Sequence, residues 1–418
     1  MIEVIEGQDS SSIASRFSAS LIFTILRGVI NLVTGFLIAR WLGSEDYGRM
    51  AFMLATFLAF RQLIDMSSTS AFFTFLSQRQ RSRNFIRYYW YWVGIQFFLS
   101  FVIVALVLPS SLIESIWMGE SRLVVILALT AVFMQSHVWV NTMQMAEAQR
   151  RTVSVHKINT FMVFLHLVLL SILWLFDQLI LPLIFTALII EWMIAGLLAS
   201  KLYRNHEHSK DKFEELHDTA LSTLKEFWNY CAPFIPYVWL SFAYTIADRW
   251  LLQHWGGAKE QAYFSIALQF SAVALLATTS ILRIFWKEVA EAKQENDFKK
   301  IKKLYNKTSR RVYFFGAFLS AAILPWASEI VMIVLGEEYL ESVSVFFLML
   351  LYPVHQTMGQ IGSTMLFATE NSKIQVQIGL WFMASSMIFV YFMLAPQTMF
   401  IPGFEMGAEG LAIKMIIM

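Results

Sequence analysis

The chain has 418 residues, of which 57% are hydrophobic, 16% aromatic and only 15% charged, with a positive mean hydropathy of 0.56. That balance excludes an ordinary soluble domain and points to repeated membrane spans. The formal net charge of +2 says little by itself, because the basic residues are gathered in particular loops.

The first residues, MIEVIEGQDSSSIASRF, carry two glutamates and an aspartate and lack the basic-then-apolar order of a cleaved signal. Insertion is therefore expected to be directed by the first span. Leu21 to Leu42 is apolar and long enough to cross a bilayer, and it contains Arg27 before closing in ARWLGSEDYG. Apolar runs then predict spans near 20–42, 50–76, 88–108, 122–146, 155–176, 179–201, 227–252, 262–286, 312–335, 343–368 and 374–395. A twelfth begins near Glu409, and the chain stops at Met418, which suggests a truncated sequence. The predicted fold class is all-α and polytopic.

Loop charge predicts the orientation, since lysine and arginine accumulate on the cytoplasmic side. Arg79, Arg81, Arg83 and Arg87 lie in one even-to-odd connection, and Arg150, Arg151 and Lys157 in the next. The 201–226 and 287–311 loops are also basic, whereas the odd-to-even connections are short and poor in positive charge. The N-terminus is expected in the cytoplasm. Two cytoplasmic loops have the pattern of helices lying on the anionic inner leaflet: Phe213, Leu216, Ala220, Leu224 and Phe227 in one, and Phe298, Ile301, Leu304 and Tyr305 in the other. Cys231 is the single cysteine, so neither an intrachain disulfide nor a metal site of closely spaced Cys and His is expected. His206 and His208 read as a solvated pair.

The first exit is echoed in IADRWLLQHWGGAKEQAYFSIA, residues 246–267. A second match aligns Thr142, Met143 and Ala146 with Thr364, Met365 and Ala368, six spans later. An even number of spans per copy gives parallel repeats. The expected organisation is an N-terminal lobe at 1–202, a linker with an amphipathic helix at 203–226, and a C-terminal lobe at 227–418, with a substrate path between lobes.

With ARWLGSEDYGRMAF, its echo and six spans per lobe, the chain resembles the polysaccharide exporters of the multidrug/oligosaccharidyl-lipid/polysaccharide (MOP) superfamily, most of all the O-antigen (Wzx-type) flippases. That resemblance implies a MATE-like V-shaped bundle in a bacterial inner membrane. It implies alternating access and movement of an undecaprenyl-pyrophosphate-linked oligosaccharide from the cytoplasmic to the periplasmic leaflet. Membrane lipids and polysaccharide polymerase machinery are the expected partners, with no nucleic acid and no cofactor. Lipid II flippases use arginines in the first, second and eighth spans, and Arg27, Arg61 and Arg283 occupy those spans here. The chain lacks the two extra C-terminal spans of that branch.

An arginine fork suits the two charges and the oxygens of a pyrophosphate. Arg61 lies near mid-bilayer, with Asp65 one turn away as a competing intrahelical partner. Arg27 could snorkel to the interface instead, and Arg283 could be a positive-inside anchor. Asp65, Glu191 and Asp248 are candidates for a coupling proton or sodium ion; Glu191 has no partner in its own span, and Asp248 beside Arg249 also fits an interfacial position. His137, His166 and His355 are expected in hydrogen-bonded core roles. A drug/cation antiporter of the same fold would favour carboxylates and aromatics over arginines. A polymerase or ligase would need an extracytoplasmic site that these short outward loops do not supply.

Overall fold

The computed structural model describes the backbone of residues 13–79, 81–149, 151–207 and 219–418, and among the described residues helix dominates and no strand occurs. Seven helices among these residues are long and apolar enough to cross a membrane. The first, α1, runs over Ile13–Asp65, 53 residues interrupted by non-helical backbone at Gly43. At 1.5 Å per residue it is far too long for one crossing of a core about 30 Å thick. It therefore contains the first predicted span and the start of the second.

By compactness the chain divides into two units: residues up to Thr34 with Met53–Phe242, and Gly35–Phe52 with Ala243–Met418. The first unit holds the rest of the second span, which is broken rather than continuous. Met66 and Ser67 follow α1 with φ of 44° and 67°, and α2 starts afresh at Ser68–Gln78. Left-handed backbone at non-glycine residues costs about 1–3 kcal/mol each and persists where surroundings enforce it. Next come α3 (Arg83–Val102), capped by Ser82, and α4 (Ser110–Ile116). The fourth span is α5 (Arg122–Phe133), a π-turn at Met134–Val138, and α6 (Trp139–Ala148). The fifth and sixth are α7 (Thr152–Leu175) and α8 (Leu181–Glu207).

Phe213 and Leu216 of the linker lie outside the described residues, but α9 (Ala220–Cys231) is present, opened by a reciprocal Thr219–Ser222 capping box. It belongs to the first unit. Arg81, buried to 4% exposure, donates to both carboxylate oxygens of Glu226 at 2.5 and 2.8 Å, and Phe227 of α9 packs on Phe75, Phe85 and Tyr89. A buried bidentate pair needs such geometry to offset desolvation.

In the second unit α10 (Ile235–Leu251) leads through a π-turn at Leu252–Gly256 into α11 (Gly257–Gln294). The repeat has a backbone signature: Gly43 and Gly257 share φ of 77° and 83° with ψ of 172° and −175°. Only glycine adopts that conformation without strain. The π-turn is inserted between the Arg-Trp-Leu echo and Gly257, where the first copy has Gly43 directly. The other repeated motif agrees locally, since Thr142 and Thr364 each bond back to the carbonyl four residues earlier, Val138 and Gln360.

α12 (Phe298–Ile323), capped by Asp297, contains the second predicted interfacial segment within one helix. That segment is continuous with the ninth predicted span rather than a separate helix: Ile301 is buried against Phe285 and Ile361 while Phe298 is exposed. The helices α13 (Ala327–Val334), α14 (Val343–Ala368), α15 (Ser372–Leu394) and α16 (Gly407–Ile417) complete the unit. Two glutamates close its turns. Glu338 accepts from the amide and hydroxyl of Ser44 at 2.8 and 2.7 Å, and Glu260 accepts from the Ala408 amide at 2.6 Å. Burial raises the Glu260 carboxyl above the ordinary range, against the Ala408 bond. Gly48 permits the close approach of α11, since a Cβ there would sit 1.8 Å from the Ala258 carbonyl oxygen. Large apolar side chains such as Leu106 and Trp381 are 77% and 78% exposed, as lipid-facing positions require.

Candidate functional site

In the first unit the break in the second span gathers a polar network. Asp65 ends α1 and its Oδ1 accepts from Ser68 Oγ at 2.9 Å, the Thr69 amide at 2.9 Å and Thr69 Oγ1 at 2.6 Å. It thereby satisfies the start of α2, where free amides and the helix dipole favour a carboxylate. Arg61 reaches Asp65 only at Oδ2, 3.9 Å away, and its buried Nε has no hydrogen-bond partner. The expected i,i+4 pair exists, but loosely, because the aspartate serves the cap first.

A carbonyl released at the end of α1 is also met. Gln96 on α3 donates to the Ile64 carbonyl at 2.8 Å, which directs its Oε1 to His137 Nε2 at 2.9 Å. With the amide nitrogen spent on a carbonyl, His137 Nε2 is the donor of that pair. The Asn141 side chain donates to the His137 carbonyl at 2.9 Å beside the π-turn and accepts from Tyr89 at 2.7 Å. His137 thus has the hydrogen-bonded core role its sequence position suggested. Gln96 and Asn141 escaped the sequence reading, their signal being a polar group inside an apolar run, while Tyr89, which its sequence setting YYWYW places in an interfacial aromatic belt, is 1% exposed and bonded in this network.

Arg27 lies in the same unit, half-buried, with Nη1 3.3 Å from His156 Nδ1 on α7. His156 Nε2 is 3.8 Å from Glu147 on α6. Glu191 is 1% exposed and is not unpartnered as its own span suggested: His166 Nδ1, from α7, lies 2.9 and 3.1 Å from its two oxygens. The partner was invisible because it comes from the preceding span.

In the second unit Asp248 is buried within the protein. Both its oxygens accept from Lys414 Nζ on α16, at 2.7 and 2.6 Å, and Lys414 is itself 1% exposed. The ammonium also lies 4.4 Å from the Tyr244 ring centroid. Arg249 turns to Ser265 at 3.0 Å and stacks over Phe264. Arg283 falls within α11, and its side chain lies outside the described residues. His355 lines an open, largely apolar recess of about 440 Å³ with Tyr313, Ser320 and Ile416. Among the described residues no group of three or more His, Cys, Asp or Glu is arranged to hold a metal.

No protein-family model and no curated protein matches the sequence. The fold, by contrast, is similar to that of solved structures. The lipid II flippase MurJ, in an inward closed conformation, superposes with a TM-score of 0.70 at 14% identity over 95% of this chain and 84% of that one. An inward-facing multidrug resistance MATE family transporter of the MOP superfamily gives 0.69 at 14% identity, covering 94% and 90%. A MOP superfamily transporter from Pyrococcus furiosus, titled for the reverse polarity of its binding pocket, gives 0.60 at 12% over 100% and 94%. The protein has the polytopic all-helical fold of the MOP-superfamily transporters and flippases. Its multiple apolar helices make it a multi-pass membrane protein.

Proposed function

We propose that the protein is a flippase that carries an undecaprenyl-pyrophosphate-linked oligosaccharide, an O-antigen or related repeat unit, from the cytoplasmic to the periplasmic leaflet of a bacterial inner membrane. The observation that carries the reading is Arg61: a half-buried arginine whose Nε is buried without a partner and whose nearest carboxylate is 3.9 Å away and already capping α2 through its other oxygen. Such a guanidinium retains fork donors for phosphate oxygens, which a cationic drug would not use. Arg27, and Arg283 by the family resemblance, would add to head-group capture. Glu191, Asp65 and Asp248 remain the coupling candidates for a proton or sodium ion. The lobes 1–202 and 227–418 would alternate access about the linker, with the N-terminus in the cytoplasm, and polysaccharide polymerase machinery would receive the product. One observation favours a drug/cation antiporter instead, namely the fully buried Glu191 carboxylate in the first unit.

The test is the lipid-linked glycan content of the inner leaflet in cells lacking the protein. A lipid-linked oligosaccharide should accumulate there and be cleared by the wild-type gene but not by Arg61→Ala. Drug sensitivity without glycan accumulation would establish the antiporter reading in its place.

A further inference from the structure

Arg27, His156 and Glu147 come from α1, α7 and α6, so three helices converge on one imidazole. A guanidinium can only donate, so the 3.3 Å contact from Arg27 Nη1 makes His156 Nδ1 the acceptor. The ring proton is then on Nε2, on the side of Glu147 at 3.8 Å. His156 is 6% exposed, and the charged groups that face it among the described residues are Arg27 from α1 and Glu147 from α6. In the absence of ligand a neutral imidazole thus occupies one arm of the arginine fork.

A second proton on the ring changes that arrangement. Nδ1 becomes a donor, the bond from Arg27 is lost, and guanidinium and imidazolium present N–H groups to the same space. Glu147 stands behind the other ring nitrogen to hold the new charge. Two adjacent donors without an acceptor between them suit an anion with several oxygens.

We infer that His156, supported by Glu147, is a proton-linked second donor for a phosphate-class anion held by Arg27, so that binding the anion takes up a proton at His156. This rests on the reading that Arg27 contacts a diphosphate head group. Linkage makes the effect reciprocal: ligand favours the imidazolium, and protonation favours ligand.

The experiment uses the full chain in lipid nanodiscs, titrated calorimetrically with inorganic pyrophosphate and with a polyprenyl diphosphate, each in two buffers of different ionisation enthalpy. At pH 7.5 the wild type should take up about one proton more per ligand than His156→Gln, because the amide cannot ionise. Its affinity should fall with rising pH up to about tenfold per unit more steeply than that of the variant. Glu147→Gln, which keeps the imidazole, should reduce the uptake. Equal proton uptake in wild type and His156→Gln, with binding lost in Arg27→Ala, would overturn the inference and leave the head-group reading standing. Wild-type affinity in Arg27→Ala would overturn that reading itself. Tighter binding of the polyprenyl diphosphate than of pyrophosphate supports a lipid head group as the source of the anion, and equal affinity overturns it. If His156→Gln fails to fold, nitrogen NMR of the ligand-free wild type still decides: a protonated Nδ1 on His156 at neutral pH would overturn the inference.

Discussion

Gln96 donates to the backbone carbonyl of Ile64 at 2.8 Å, one residue before the second span breaks. A bilayer offers no water to such a carbonyl, so a side chain from the next span takes its place. Replacing Gln96 with leucine strands both the Ile64 carbonyl and His137 Nε2. An unsatisfied buried group costs about 1–3 kcal/mol. The Gln96→Leu protein should insert but melt earlier in detergent, and an unchanged melting temperature would show that the break needs no such support.

The decisive test of Arg61 uses the cap geometry. Arg61→Ala should abolish surface glycan without lowering the amount of protein. Removing the Asp65 side chain as well would also uncap α2, so the companion change is Asp65→Asn, which keeps the Oδ1 acceptor and removes the charge. If Arg61 served only to neutralise Asp65, the Arg61→Ala/Asp65→Asn double variant would display glycan at the wild-type level. The expected outcome is that it does not. Arg61→Lys should rescue poorly, because the planar fork is lost.

Glu191→Gln should leave insertion intact and make transport insensitive to the proton or sodium gradient. Since His166 shares the site, His166→Gln should blunt the same dependence. Gradient dependence unchanged in both variants would remove the pair from the mechanism.

Lys414→Met should destabilise the second unit by about 3–5 kcal/mol, because it leaves Asp248 buried and unpaired. Asp248→Asn/Lys414→Met should recover most of that loss, as neutral pairs often replace buried ion pairs at little cost. Thermal unfolding of the single and double variants measures the coupling. A double variant no more stable than Lys414→Met would deny that the pair acts as a unit.

Orientation is read by reporter fusions. Those after residues 84, 153, 208 and 300 should report cytoplasm, and those after 114, 257 and 338 periplasm, from the loop charges alone. Periplasmic activity at 300 would overturn the topology.

The helical architecture was legible because a span needs only a long apolar run, and runs survive any detail of packing. The echo around Gly43 and Gly257 was also visible, but the left-handed backbone the two glycines share appeared only in the structure. The break at Met66 and Ser67 was not: neither residue is a proline or glycine, and what holds the strained backbone is Asp65 together with Gln96, some 30 residues on. Partners across helices were equally hidden. Lys414 sits in GLAIKMIIM, legible only as the start of a twelfth span, and the role of its charge appears only against Asp248, 166 positions earlier. The helical extension below the ninth span looked like a separate surface helix because its lysines surround an apolar stripe. Continuity past Tyr305 is decided by the unbroken backbone ladder.

The docking of α9 on α2 has a mechanical consequence. Glu226 holds Arg81 just beyond the end of α2, and Phe227 and Tyr230 grip Phe75 within it, so α2 and α9 form one stiff piece. Upstream of the joint at Met66 and Ser67 is the segment that bears Arg61. Swinging the stiff piece about that joint would pull Ser68 and Thr69 away from Asp65, and the carboxylate, released from three bonds, could close the 3.9 Å gap to Arg61. A displacement of the linker helix would thus be felt at the joint as a change of partner at a single aspartate, altering the charge beside Arg61 without moving the arginine.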